Sequence, residues 1–325
     1  MRAAGVTEFG GPEALQIVDV EREPLGPGQV RIQVQAAAVA PTDTHARSGA
    51  YAGRDPFKSP PWVPGMDVAG VITEVGEGVD HLAVGDLAMG IVVPIGPHGA
   101  YREDKVLPGN SVVRAPKGTT AVEACTLPMN GLTARMALDR MALEPGQVLA
   151  VTGSAGAFGG FVVQLAKADG LTVVADASEA DEELVRGLGA DVVVRRGDDV
   201  AARIRELYPD GVDGLADGAV QNELVLPAVK DGGAVATVRG YKGNGERDVR
   251  GLPCQVARAA EDRAGLDRLR QQAEDGVLTL RVAREFPAEQ AADAHRLLEA
   301  GGVRGRIVLT FWSARALRPR CGLRL

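Results

Sequence analysis

The stretch VLAVTGSAGAFGG, residues 148–160, decides how this chain folds. It opens with a short apolar run typical of a strand buried inside a parallel sheet, and a segment of helical period follows it. Between the two, glycines stand at 153, 156 and 159. A sharp turn through small residues lets bare backbone approach a diphosphate, and the helix N-terminus offers it unpaired N–H groups. A glycine-rich connector without a ligand is the alternative. The predicted dinucleotide-binding residues here are Gly153, Ser154, Ala155, Gly156, Ala157, Phe158 and Gly159.

Strands and helices alternate around this loop. We predict helices at 124–143, 158–169 and 179–188, and strands at 147–152, 171–175, 191–194, 214–217 and 233–238. Apolar strands alternating with helices indicate an α/β fold with a doubly wound parallel sheet of the Rossmann type.

The N-terminal part of the chain has a different pattern. Gly and Pro separate short predicted strands at 15–20, 29–38, 68–75 and 87–93, which indicates a compact barrel-like β domain. After the parallel sheet, amphipathic helices are predicted at 255–275 and 288–300, and a last strand at 305–311.

The composition of the chain limits the kinds of partner that it can bind. A net charge of −7 offers nothing to nucleic acid or to an anionic membrane. No apolar run is long enough for a membrane span or a signal peptide. Cys125, Cys254 and Cys321 lack metal or redox spacing, so we expect free thiols and a cytoplasmic location. We interpret the basic tail as a solvated terminus rather than a binding arm; its arginines are Arg315, Arg318, Arg320 and Arg324.

Asp176 ends the second predicted strand of the parallel sheet, with Ser178 close behind it. An acid at this place accepts hydrogen bonds from the adenosine ribose and repels a 2′-phosphate, which favours NADH. The acids at 179–183 are explained equally well by the dipole of the following helix. We therefore predict that Asp176 and Ser178 contact the cofactor.

Four further segments carry a family resemblance. They are GMDVAGVI at 65–72, VGD at 84–86, ACTLPMNGLTA at 124–134 and AHRLLEAGGVRGRIVL at 294–309. Together with the glycine loop, they resemble the medium-chain dehydrogenase/reductase superfamily and its zinc-independent, zeta-crystallin-like quinone oxidoreductase branch. The resemblance covers residues 1 to about 311.

The resemblance implies an architecture. A GroES-like β-barrel catalytic domain would be interrupted by a Rossmann domain, with the active site in the cleft between them. We place the catalytic domain at 1–122, the Rossmann domain at 123–262 and the segment returning to the barrel at 263–325. Homodimers are common among such proteins.

Zinc ligands are missing where zinc-dependent relatives have them. Ala40 stands at the position of the first cysteine, and Met66 and Asp67 stand at the position of the His-Glu pair. Ala and Met supply no usable zinc ligand, so we predict no metal site. Hydride delivery to a quinone or an electron-poor C=C is feasible without a Lewis acid.

The segment APTDTHARSGAY, residues 40–51, resembles the active-site stretch of the family. The usual pattern has Asn where Ala40 stands and Tyr where His45 stands, and both departures leave the proton donor open. We predict that Tyr51, His45 and Asp43 form the catalytic group. His45 bonded to Asp43 at the surface, and Tyr51 used only in packing, are the alternatives.

The resemblance also implies nicotinamide contacts. Thr133 resembles the residue that touches the ring, and Gly240 and Tyr241 lie in the loop that covers the nicotinamide ribose. NADPH-using relatives often carry a lysine near position 181, where this chain has Asp181. The cofactor is therefore predicted as NADPH or NADH.

Three functions fit these residues. The first is a reductase of small-molecule quinones or α,β-unsaturated carbonyls. The second is an enoyl-thioester reductase of a biosynthetic pathway. The third is a cofactor-binding redox sensor or structural protein without turnover, which the departures at 40 and 45 support.

Overall fold

A computed structural model describes residues 1–54 and 59–311 of the chain. The basic tail with Arg315, Arg318, Arg320 and Arg324, and also Cys321, lie outside the described residues. In the part that is described, no helix has both the length and the apolar character needed to cross a bilayer.

The first part of the chain folds into antiparallel strands. They are β1 (Arg2–Gly5), β2 (Gln16–Asp19), β3 (Gln29–Val39), β4 (Asp67–Val75), β5 (Leu87–Ile91), β6 (Asp104–Pro108) and β7 (Val112–Arg114). The long strand β3 pairs with both β4 and β6, so it organises this sheet. The strands predicted at 15–20, 29–38, 68–75 and 87–93 are confirmed within a few residues.

Helices connect this sheet to the next unit. They are α1 (Pro41–Arg47), α2 (Ala121–Ala124) and α3 (Pro128–Met141). The predicted helix 124–143 is wrong at its start, because α2 ends before Pro128 and α3 begins with it. Proline is favoured in the first turn of a helix, where its missing N–H costs nothing.

The central part is a parallel α/β unit. Its elements are β8 (Val148–Thr152), α4 (Ala157–Ala168), β9 (Thr172–Ala177), α5 (Glu182–Gly187), β10 (Val192–Arg195), α6 (Val200–Leu207), β11 (Val212–Asp217), β12 (Val229–Thr237) and β13 (Arg250–Pro253). The sheet order is β10-β9-β8-β11-β12-β13, with apolar clusters on both faces. The strand order reverses between β8 and β11, where open α/β sheets bind ligands.

The last elements return to the first sheet. They are α7 (Arg263–Glu274), β14 (Val282–Pro287), α8 (Ala291–Ala300) and β15 (Arg306–Thr310). Strand β15 pairs with β3, so the chain closes on its own beginning. The helix predicted at 255–275 begins later, at Arg263. The Asp262 side chain accepts the Gly265 N–H and so caps the N-terminus of α7. The predicted fold class, a GroES-like barrel unit plus a Rossmann sheet, is confirmed; the boundaries after 122 and 262 stay predictions.

A buried ion pair joins the beginning and the end of the first sheet. The Arg306 guanidinium on β15 contacts the Asp67 carboxylate on β4 at 2.6 Å, and both side chains are excluded from solvent. The other Asp67 oxygen accepts the N–H of Met129 at the start of α3, also at 2.6 Å. One carboxylate therefore holds a barrel strand, the returning strand and the helix that leads to the parallel sheet.

Replacing Arg306 with Met should lower the free energy of unfolding by about 3–5 kcal/mol at neutral pH, because the buried Asp67 carboxyl group loses its charged partner. Burial raises the pKa of Asp67 in the folded protein, and loss of the guanidinium raises it further. The folded variant then retains a proton that the unfolded chain releases above about pH 3.9. Its stability should therefore fall as the pH rises from that value, which urea unfolding at several pH values would measure.

The matched control is Arg296→Met. Arg296 forms a solvent-exposed ion pair with Asp293 at 2.6 Å, which is expected to contribute less than about 1 kcal/mol. Equal losses of stability in the two variants would contradict the structural role of the Asp67–Arg306 pair.

Candidate active site

The glycine loop after β8 is shaped by contacts that only glycine permits. Gly153 has φ +66°, and a Cβ there would lie 2.9 Å from the carbonyl carbon of Gly218. A Cβ on Gly159 would lie 2.4 Å from the Gly153 oxygen. Gly156 differs, because the Gly153 oxygen at 3.1 Å is the one described atom near its Cβ position. The space beside Gly156 is thus open, and this cradle at the N-terminus of α4 fits a dinucleotide diphosphate.

Two distant residues hold this loop in place. The Ser154 N–H donates to the nearly buried carboxylate of Asp176 at 3.0 Å. Arg281, from the returning segment, donates to the carbonyls of Ala155 at 3.0 Å and Gly156 at 2.7 Å. One Asp176 oxygen therefore braces the loop, and the contact of Asp176 with the ribose stays a prediction. Sequence reasoning missed Arg281 because no local motif surrounds it.

A buried aspartate, Asp217, links the ends of the two strands between which the strand order reverses. Thr152 at the end of β8 donates its hydroxyl to Asp217 at the end of β11, at 2.8 Å. Asp217 also accepts the N–H groups of Gln221 and Asn222. These bonds hold the carboxyl ends of β8 and β11 side by side, next to the glycine loop.

The negative charge of Asp181 is compensated by an arginine of the same chain. Arg304, from the returning segment, forms an ion pair with Asp181, and the Ser178 hydroxyl donates to the same carboxylate. The bond from Arg304 is the main reason why the pKa of Asp181 lies below its usual value. The Ser178 hydroxyl is therefore engaged inside the protein, and its predicted contact with the cofactor is not supported by this geometry.

Asp43 is enclosed by protein rather than exposed to a substrate. Its carboxylate accepts the N–H groups of Ala40 at 2.8 Å and Gly65 at 3.0 Å, and the Tyr101 hydroxyl at 3.0 Å. Burial raises its pKa to about 6. We predicted a catalytic role for Asp43; the structure places its carboxylate in the interior, bonded to the residue that precedes α1.

A buried network continues from Asp43 to the surface. The Tyr101 hydroxyl lies 3.3 Å from Nε2 of His295, and the Arg47 guanidinium lies 3.4 Å from Nδ1 of the same ring. Arg47 also donates to Glu299 at 2.7 Å. Burial lowers the pKa of His295 to about 3, so the ring is neutral at physiological pH. This network fixes α1 against α8.

His45 and Tyr51 lie together at the end of α1. Their ring centroids are 6.1 Å apart in an edge-on arrangement. Nε2 of His45 contacts the guanidinium of Arg239, which follows β12 in the parallel sheet. Burial and the charges of Arg239 and Arg47 lower the pKa of His45. The alternative in which His45 binds Asp43 is wrong, because the Asp43 carboxylate is occupied by Ala40, Gly65 and Tyr101.

The predicted nicotinamide contacts have different surroundings. The buried Thr133 hydroxyl donates to the Met129 carbonyl of its own helix at 2.6 Å. Gly240 is exposed, with φ +83° and open space at its Cβ position. The Tyr241 ring packs on the apolar cluster of α6 and β11, so its side chain is used in packing. The prediction that the loop with Gly240 and Tyr241 covers the nicotinamide ribose stays a prediction.

The residues at the family's zinc position do not fit zinc. Both Asp67 oxygens are engaged, by Arg306 and by the Met129 N–H. Ala40 offers no ligand, and the Met66 sulfur accepts the Thr42 hydroxyl at 3.2 Å. Within 1–54 and 59–311, no cluster of three or more His, Cys, Asp or Glu is arranged to hold a metal ion.

A barrel unit that meets the ligand-binding edge of a Rossmann sheet defines a class of nucleotide-dependent oxidoreductases. Residues 26–172 match the family model of the alcohol dehydrogenase GroES-like domain, and residues 188–309 match that of zinc-binding dehydrogenases. Rat quinone oxidoreductase is 31% identical, over 95% of this chain and 97% of its own. The chain belongs to the medium-chain dehydrogenase/reductase superfamily, together with the quinone oxidoreductases.

Other relatives are larger than this chain. A 2-methylene-furan-3-one reductase of Solanum lycopersicum is 33% identical over 74% of this chain, which spans 62% of that protein. The pikromycin polyketide synthase component PikAII of Streptomyces venezuelae is 32% identical over 89% of this chain, which spans 8% of it.

Solved structures share the whole fold. The quinone oxidoreductase of Coxiella burnetii is 27% identical with a TM-score of 0.82, over 96% of this chain and 99% of that one. A mycobacterial protein complexed with NADPH is 27% identical with a TM-score of 0.84, over 96% and 100%. CurK enoyl reductase is 26% identical with a TM-score of 0.83, over 95% and 98%.

The open space beside Gly156 is tested by a substitution that fills it. Gly156→Val should weaken binding of a reduced nicotinamide dinucleotide about 100-fold or more, because the side chain fills the space beside the bare backbone. The melting temperature should fall only modestly, since the protein itself leaves that space open. Isothermal titration calorimetry measures the first effect and thermal unfolding the second.

The matched control is Gly187→Val, at an exposed position in α5 where no described atom lies within 4 Å of the Cβ. It should bind the dinucleotide normally. Normal binding by Gly156→Val as well would show that the diphosphate does not lie against this loop.

Proposed function

We propose that this protein is an NADPH-dependent reductase that transfers a hydride to a quinone or an α,β-unsaturated carbonyl compound, without zinc. One observation carries the proposal. Arg239, on the edge of the sheet that carries the glycine loop, contacts His45 on α1. The carboxyl edge of the parallel sheet therefore meets the end of α1, close to Tyr51.

The residues that would hold the cofactor are those of the loop and of α4. Their N–H groups and the N-terminus of α4 suit a diphosphate. When bound, the reduced nicotinamide supplies a hydride.

NADPH is the proposed form because the two acids that favoured NADH are engaged elsewhere. Asp181 is paired with Arg304, and one Asp176 oxygen is bonded to Ser154. The relative from Arabidopsis thaliana named NADPH-dependent alkenal/one oxidoreductase, 33% identical over 74% of this chain and 63% of its own, supports the same choice.

Tyr51 is the proposed proton donor. Reduction of a conjugated C=C requires one proton in addition to the hydride. The Tyr51 side chain is 38% exposed at the end of α1, so a substrate is able to reach its hydroxyl. His45 is less suited, because its lowered pKa leaves the ring neutral and Arg239 occupies its Nε2. We assign His45 to holding Arg239, and Asp43 to positioning α1.

Zinc independence, location and assembly are parts of the same proposal. Ala40, Met66 and the engaged Asp67 support catalysis without zinc. Cys125 and Cys254 are buried free thiols, which is compatible with the cytoplasm. A homodimer with a small-molecule substrate, and with no nucleic acid or membrane partner, is proposed from the family.

A second candidate is an enoyl-thioester reductase. The similarity to CurK enoyl reductase and to a polyketide synthase component favours it. A conjugated thioester and a conjugated ketone need the same hydride and proton, so the two candidates differ only in what the cleft accepts beyond the carbonyl.

The proposed function predicts that quinones and enones accelerate oxidation of NADPH, followed as loss of reduced-nicotinamide absorbance. Tyr51→Phe should lower kcat for an enone about 100-fold while NADPH affinity is retained, because general acid catalysis contributes roughly 10²–10⁴-fold. A quinone should be less affected, since solvent is able to protonate the product.

A crotonyl thioester serves as the comparison acceptor. Faster turnover of the thioester than of any quinone or ketone would select the second candidate. NADPH binding without turnover of any acceptor would contradict both and favour a non-catalytic protein.

A further inference from the structure

Arg239 is a cation without an anionic partner in the described part of the chain. It is exposed and follows β12, and its one described side-chain contact is the neutral ring of His45. No Asp or Glu within 1–54 or 59–311 lies within 4.0 Å of its guanidinium. Three other arginines are paired with carboxylates, Arg47 with Glu299, Arg304 with Asp181 and Arg306 with Asp67, while Arg281 donates to the loop carbonyls.

His45 holds Arg239 but does not neutralise it. The imidazole accepts through Nε2, so its own proton lies on Nδ1. A guanidinium carries five N–H donors in a planar fork, and only Nη1 contacts His45. The remaining donors of Arg239 face an environment in which no described protein group competes for them. This arrangement presents a fixed positive charge beside Tyr51.

Ala40 and Met66, which directly precede α1 and β4, belong to one buried apolar cluster. Ala40 and Met66 occupy the positions at which zinc-dependent relatives have ligands, and both are buried. The Met66 sulfur already accepts the Thr42 hydroxyl. These two positions carry no charge, and the neighbouring Asp67 is already paired with Arg306.

Arg239 lies apart from the diphosphate loop. Strand β12 is separated from β8 by β11, and adjacent strands lie about 4.8 Å apart. The end of β12 is therefore roughly 10 Å along the edge from the glycine cradle. This separation assigns Arg239 to the acceptor rather than to the phosphates.

We propose that Arg239 selects acceptors that carry a carboxylate, which its guanidinium binds while the conjugated C=C or quinone ring lies near Tyr51. A planar fork suits the two oxygens of a carboxylate, which it binds by parallel charge-assisted hydrogen bonds. This inference rests on the proposed function and names the substrate class of the same site.

The test uses two matched pairs of acceptors with NADPH and the full chain. One pair is 4-(3-oxobut-1-enyl)benzoate and its methyl ester; the other is a benzoquinone with a propanoate side chain and its methyl ester. Wild-type protein should favour each acid over its ester in kcat/KM by about 10- to 100-fold, the range of one or two charge-assisted hydrogen bonds.

Arg239→Met should bring the acid-to-ester ratio close to one, and Arg239→Lys should restore part of it. The control Arg268→Met removes the same charge from an exposed position on α7 and should keep the wild-type ratio. Calorimetry with the saturated keto acid 4-(3-oxobutyl)benzoate, in the presence of NADP⁺, reports the same preference without turnover.

The outcomes distinguish failure of the carboxylate role of Arg239 from failure of the proposed reductase function. An acid-to-ester ratio near one in wild type, or an unchanged ratio in Arg239→Met, would overturn the role of Arg239 and leave the reductase intact. A loss of NADPH affinity in Arg239→Met without a change in the ratio would assign Arg239 to the cofactor and also overturn it. If no acceptor is reduced, the proposed function fails; binding of the keto acid that depends on Arg239 would then still support the carboxylate site.

Discussion

Helix α4 is able to begin against the loop after β8 only because residue 159 has no side chain. A Cβ there would lie 2.4 Å from the Gly153 oxygen, closer than non-bonded atoms approach. This close approach aims the first N–H groups of α4 at the space beside Gly156. Asp176 at the end of β9 supports the same turn, because its carboxylate accepts the Ser154 N–H.

Three arginines of the returning segment make contacts in both parts of the fold. Arg281 binds the loop carbonyls, Arg304 pairs with Asp181, and Arg306 pairs with Asp67 on β4. The segment that completes the barrel therefore also supports the nucleotide loop and the start of α3.

The fold could be predicted largely from the sequence because its signals are local. The apolar run before Gly153 and the glycines after it specify a strand, a turn and a helix by themselves. The site was harder to predict from the sequence, because residues that contact one another there come from distant segments. Arg281 supports the loop, and Arg239 contacts His45. Asp43 illustrates the limit, because its residue type suggests chemistry while its three hydrogen bonds and burial make it structural.

Every functional role assigned to this protein depends on binding of a reduced nicotinamide dinucleotide by the loop after β8. Calorimetric titration of the wild-type chain with NADPH and with NADH tests this most directly, together with the melting temperature at saturation. We expect about one site per chain, tighter binding of NADPH, and a rise in melting temperature with ligand concentration. No heat and no thermal shift with either dinucleotide would contradict the account.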